Sequence, residues 1–190
     1  MKDQVRIGVE RGIDLQQEKG IERLAGVIVR ESSQEEGGTL VLFTSKDVMR
    51  KTWEISSERL LAAGLNPMVQ GTLPNRKMLE EMRESTNSVI FGLDSFWEGV
   101  DVKGNSLNCL IITKLPFEVP TEPLVVARAE EIKKRGGNPF RDYSLPRAVL
   151  KFKQGFGRLI RSRDDRGRVI ICDERIETKD YGRRFTESIG

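Results

Sequence analysis

The run Gln154-Gly155-Phe156-Gly157-Arg158-Leu159-Ile160-Arg161 has the residue types and spacing to handle phosphate. On a helix turning roughly 100° per residue, Val149, Phe152, Phe156, Leu159 and Ile160 share one face. Gln154, Arg158 and Arg161 then fall at i, i+4 and i+7 on the other. Arginine is permanently charged, and its planar fork of donors matches phosphate oxygens. The plainer reading is an amphipathic helix with solvent-facing arginines. Two helical glycines, each costing about 1 kcal/mol against alanine, imply a close neighbour, either another domain or another helix. From Arg147 to Arg168 eight basic residues meet only Asp164 and Asp165, a net +6 within a chain of net charge +3. A patch of this kind attracts phosphate, though a charge run is also what a solvated helix face looks like.

Two strand ends offer further polar groups. Thr44 and Ser45 follow the apolar run Leu40–Phe43, where a strand gives way to a helix N-terminus. Hydroxyls and free N–H groups there suit phosphate, and plain capping uses the same residues. The loop after Ser88–Phe91 reads GLDSFWEGVDVKG, with Ser95, Trp97, Glu98, Gly99 and Asp101 in it. Glu98 and Asp101 could accept bonds from a ribose or position a water. Trp97 could stack on a base or pack in the core.

The elements that hold these groups read as a mainly parallel α/β sheet with helices on both faces. Buried strands are expected at Thr39–Phe43, Ser88–Phe91, Asn108–Thr113 and Arg168–Cys172, with shorter ones near Gln4–Val9 and Pro67–Gln70. Helices are expected over Gln16–Arg30, Ser45–Ala63, Pro74–Arg83, Leu124–Lys134 and Ser144–Arg163. A length of 190 residues and 37% apolar content suit one domain. Residues 1–37 read as a lead-in helix and loop, and 38–190 as the main unit.

Composition excludes several chemistries. The chain has no histidine, so Ser-His-Asp hydrolysis and HExxH metalloprotease sites are out. Two cysteines, each inside an apolar run, supply neither a disulfide framework nor a four-ligand metal site. The first residues lack an apolar signal core, and no run approaches a membrane span, so a cytoplasmic protein is expected.

Taken in order, LVLFTS, FWEGVDVKG and QGFGRLIRSRDDRGRVIICDERI resemble motifs IV, V and VI of the DinG/XPD-like branch of superfamily-two helicases. The spacers KLPFEVPTEPL and NPFRDYSLPRAVLKFK are similar to that family too, and the likeness runs from about Gly38 to Ser188. The resemblance implies a RecA-like three-layer fold, the second motor domain of an ATP-dependent DNA helicase. It implies that Arg158 and Arg161 reach the ATP γ-phosphate across a cleft, with Gln154 lining it. Glu98, Gly99 and Asp101 would link nucleotide to DNA, and Thr44, Ser45, Ser95 and Trp97 would meet single-stranded DNA. Asp165, Asp173 and Arg175 would be structural or interface-forming.

No GxxxxGK[ST] loop occurs, so ATP and Mg2+ are expected to be held by a first motor domain of the same polypeptide. The run VIICDE imitates a Walker B strand but follows motif VI, and reads as a last sheet strand with a structural acid. The family's iron–sulfur cysteines, where present, belong to the first half, so this chain is silent on them. The expectation is a partial product cut at a domain boundary and inactive alone. Two other readings stay open: a non-catalytic nucleic-acid-binding module derived from the fold, and a free-standing nucleotide-binding or regulatory α/β protein.

Overall fold

The apolar runs become strands because their side chains are buried on both faces of one sheet. A computed structural model describes residues 5–34, 37–97, 107–157, 159 and 167–190. The strands are β1 (Val5–Val9), β2 (Gly38–Leu42), β3 (Asn66–Val69), β4 (Ser88–Gly92), β5 (Leu107–Ile112) and β6 (Gly167–Ile171). They form a six-stranded sheet in the order β1-β6-β5-β2-β4-β3, and every pairing is parallel. β2, β4 and most of β5 are fully buried, as central strands covered on both sides must be. Pro67 lies in β3, an edge strand, where a missing N–H costs no ladder bond on the open side.

The connecting helices make two layers. α1 (Glu18–Ser32) and α2 (Lys46–Ala62) cover one face, packing Leu24, Ile28, Met49 and Leu60 on Val41, Phe91 and Ile111. The opposite face takes α3 (Asn75–Glu84), α4 (Asp94–Trp97), α6 (Leu145–Phe156), α7 (Arg175–Thr178) and α8 (Gly182–Ser188). Their Met78, Trp97, Phe152, Ile176 and Phe185 close over Leu40, Ile90, Leu110 and Val169. α5 (Pro123–Lys134) buries only Val125 and lies to the outside. The sheet flanked by helices is therefore the expected three-layer α/β architecture, with its core in two slabs.

Local chemistry sets the ends. Ser45 caps α2, its Oγ accepting from Val48 N–H at 3.4 Å, and Gly64 closes that helix at φ +76°. The break at Gly136–Pro139 ends in an Asn138 cap whose Oδ1 accepts from the N–H groups of Phe140 and Arg141 at 3.0 and 3.1 Å. A π-helical turn, Phe140–Ser144, then feeds directly into α6.

The strand expected near Gln4–Val9 is β1, an edge of the same sheet, and the helix expected over Gln16–Arg30 is α1. One expectation changes. α6 stops at Phe156 with Gly157 as its C-cap, rather than continuing to Arg163. Leu159 already turns into the core at 4% exposure, over Gly167, where a Cβ would sit 2.8 Å from its Cδ1.

Candidate functional site

A parallel sheet delivers the C-terminal ends of its strands to one edge. Register levels them: Leu42 pairs with Gly92 and with Ile112, and Ile112 with Ile171. Thr44 and Ser45 leave β2 at this edge, beside the Phe43 N–H bond to Gly92 O at 2.8 Å. Thr113 follows β5, and both its N–H and its hydroxyl donate to Leu42 O, at 3.1 and 3.0 Å. Ser95 and Trp97 follow β4 on α4.

A cavity of 410 Å³ opens here, with Thr44, Ser45, Thr113, Lys114 and Arg175 among its walls. A neighbouring one of 540 Å³ shares Thr113, Lys114 and Arg175 and extends under the Gly12–Gln16 loop. Thr44 and Ser45 therefore reach a concave surface with basic groups. Ser45 already serves as a cap, so the capping reading holds for it alongside any further role.

Asp173 organises the floor. Its carboxylate accepts from Arg175 Nε at 2.9 Å, from a terminal guanidinium nitrogen at 2.6 Å, and from Leu115 N–H at 2.9 Å. The aspartate of the Walker-B-like run is thus saturated by its own neighbours and pins the loop after β5. Arg175 also lies over the Phe117 ring at 5.5 Å, and Phe117 packs in turn on Tyr181 and Phe185. Burial alone would raise the Asp173 carboxyl, but the bonds from Arg175 and Leu115 outweigh it and hold it below the usual carboxylate range. A depressed folded value stabilises above the ordinary carboxyl pKa of about 3.9, and that stability fades as pH falls through the folded value. Asp173→Asn is accordingly expected to cost about 1.5–3 kcal/mol at neutral pH, shrinking in strong acid. Denaturant melts of both proteins at neutral and acidic pH check this; a gap independent of pH would argue against it.

Ser95 lies on the other side of this edge, outside both cavities. Its Oγ accepts from Gln70 Nε2 at 2.9 Å and from Asn75 Nδ2 at 2.8 Å, and the residue is exposed. Trp97 is corrected from a base-stacking candidate to a core residue. It is fully buried, and its indole N–H donates to Phe43 O at 3.0 Å, which leaves no face for a base. Trp97 is also the close neighbour that the glycines implied: a Cβ on Gly155 would meet its Cε3 at 2.8 Å. Gln154, the residue before, is exposed on this last turn of α6. Arg158, Arg161, Glu98, Gly99 and Asp101 lie outside the described residues.

The basic run is thinner than its count. Arg168 is buried at 8% exposure against Glu31, with a 2.9 Å ion pair and a 3.0 Å bond to Glu31 O. Arg147 pairs with Glu118, its Nε donating at 2.8 Å. Neither Gln70 and Asn75 nor the Glu31–Arg168 pair stood out in the sequence. Their spacing carries no signal, since the partners meet only in the folded sheet. Among the described residues no helix is long and apolar enough to cross a membrane.

Comparison with known proteins places these features in a family. Residues 28–190 match the model of a helicase C-terminal domain. An ATP-dependent DNA helicase, YoaA, of Haemophilus influenzae is 46% identical over 80% of this chain and 23% of its own length. A Bacillus subtilis protein named 3'-5' exonuclease DinG is 38% identical over 93% of this chain and 19% of its own. An XPD helicase structure superposes with a TM-score of 0.76 at 18% identity, covering 96% of this chain and 33% of that one. The chain thus spans about a fifth to a quarter of the length of these curated relatives.

Proposed function

The chain belongs to the helicase C-terminal domain family, in its DinG/XPD-like branch, and from that premise we propose that it is the second motor domain of an ATP-dependent DNA helicase. The observation that carries the reading is the family match across 28–190, on a parallel sheet whose C-terminal edge gathers Thr44, Ser45 and Ser95. Residues 38–190 form the motor unit, and the first 37 are a lead-in that completes the sheet. ATP and Mg2+ are bound chiefly by the first motor domain, which carries a phosphate loop that this chain lacks. ATP supplies the free energy of translocation when bound there. Arg158 and Arg161 contribute positive charge at the γ-phosphate, and Gln154 lines the same cleft. Glu98, Gly99 and Asp101 connect that cleft to the DNA track, and Thr44, Ser45 and Ser95 contact the sugar-phosphate backbone. The setting is the cytoplasm.

Alone, the chain is expected to turn over no ATP and to bind single-stranded DNA weakly with a steep salt dependence, because phosphate contacts dominate and half the track is absent. Oligonucleotide titrations at low and moderate salt, with an ATPase assay on the same material, test both. Affinity indifferent to salt would refute the phosphate-reading surface. DNA-stimulated turnover by the lone chain, abolished by Arg161→Ala, would refute the half-motor. Adding a separately produced first motor domain separates this reading from a non-catalytic DNA-binding module: a motor half restores turnover, and a module binds DNA without doing so.

A further inference from the structure

Ser95 is held by two side chains that decide which way its proton faces. The chain of bonds starts at a backbone group whose polarity is fixed. Leu93 N–H can only donate, and it reaches Gln70 Oε1 at 2.6 Å. That sets the orientation of the Gln70 amide, so the atom facing Ser95 Oγ at 2.9 Å is its NH₂ group. Asn75 brings a second NH₂ to the same oxygen at 2.8 Å. A serine hydroxyl has two acceptor lone pairs and one proton. With both lone pairs taken, the proton must point away from Gln70 and Asn75.

From this geometry we propose that Gln70 and Asn75 are positioning residues that turn the exposed Ser95 hydroxyl into an obligate donor for a phosphodiester oxygen of single-stranded nucleic acid. The inference rests on the proposed DNA contact of Ser95 and adds how that contact is made and what it selects. An ordinary surface serine rotates freely and serves donors and acceptors alike. This one is biased toward acceptors, which phosphate oxygens are without exception. The positions agree with the topology: Gln70 follows β3, its own N–H bonded to Phe91 O at 2.9 Å, and Ser95 follows the adjacent β4. Asn75 opens α3, whose first turn carries Arg76, ion-paired with Glu80 at 2.8 Å, and Lys77. The positive charge of Lys77 favours an anionic strand alongside.

The test uses the whole chain and fluorescently labelled oligothymidylate and oligodeoxyadenylate. Ser95→Ala is expected to weaken binding of both about tenfold, the value of one hydrogen bond to a charged acceptor. The slope of log affinity against log salt should not change, since a neutral contact releases no counterion. Asn75→Asp should match that loss, because a carboxylate takes the Ser95 proton inward; Asn75→Ala, which adds no charge, should lose less by freeing the hydroxyl to rotate. In the Ser95→Ala background Asn75→Ala should then add nothing, the mark of a residue acting through another. Thermal melts of each variant separate folding from binding.

The failures are distinguishable. If the parent chain shows no salt-dependent DNA binding, the DNA reading falls and takes this inference with it. If the parent binds but Ser95→Ala matches it, the contact itself is wrong. If Ser95→Ala weakens binding while Asn75→Ala and Gln70→Ala add independently to that loss, Ser95 touches DNA but the positioning role is wrong. A loss confined to one base sequence would indicate a base contact and overturn the phosphate assignment.

Discussion

Arg161→Ala is expected to lower the ATP turnover of the assembled two-domain motor by about 10³–10⁵-fold, with a much smaller change in ATP affinity. The split follows from the finger role proposed for Arg161. Charge develops on the transferring phosphoryl oxygens chiefly in the transition state, so a guanidinium placed there acts on kcat more than on ground-state binding. Arg158→Ala should fall in the same range if both arginines reach the γ-phosphate. DNA binding without nucleotide should hardly move for either. Lysine at these positions keeps the charge but loses the planar fork, so Arg161→Lys should recover only part of the rate. Steady-state kinetics on the assembled protein, with a melt of each variant, decide the matter. Two folded variants with intact turnover would remove both residues from the reaction. Intact turnover with a collapsed melting temperature would make them structural.

The second large effect is on stability. Glu31→Ala is expected to cost up to about 3–5 kcal/mol, because it removes a carboxylate partner from the buried Arg168 guanidinium. Both residues are under 10% exposed, and the pair is reinforced by the bond from Arg168 to Glu31 O and by one to Gln34. In a chain of this size that corresponds to roughly 2–4 °C of melting temperature per kcal/mol. Replacing both partners with apolar residues of similar volume should cost far less, since no orphan charge remains. Calorimetry of the single and double variants tests this. A single variant within about 1 kcal/mol of the parent would mean that water reaches the pair.

Where sequence and structure agree, burial is the reason. TLVLF, SVIF and NCLIIT lie in strands covered on both faces, and continuous apolar runs of that length have few other uses. Strand boundaries shift by a residue, as at Asn66–Val69, because ladder bonds rather than hydropathy end a strand. The end of α6 was not legible: periodicity continues past Phe156, and only the packing of Leu159 over Gly167 shows that the chain has turned. Gly155 announced a close neighbour without naming it. Trp97 fills that place from more than fifty positions away. Separation along the chain also hid the partners of Ser95, 25 and 20 positions away, and the Glu31–Arg168 pair, 137 positions apart. Composition and spacing describe faces and ends of elements, whereas a hydrogen bond between elements exists only once the topology has brought them together.

That topology has a consequence for how the chain comes into being. Among the described residues β1 pairs only with β6, and Gly12 N–H reaches the Glu174 carboxylate across 162 positions. A ribosome adding about 5–20 residues per second delivers β1 roughly 10–30 s before the strand it needs. During that interval α1 can already settle on α2, and β2, β4 and β3 can pair, since their closures are shorter. β5 then waits with one edge open, and β1 waits with both. Ile7 remains 48% exposed even in the finished fold, so the nascent strand offers an apolar template to any passing extended segment. The last stitch of the sheet is therefore its most vulnerable moment, and slowed translation between β1 and β6 should raise aggregation before it affects any other property.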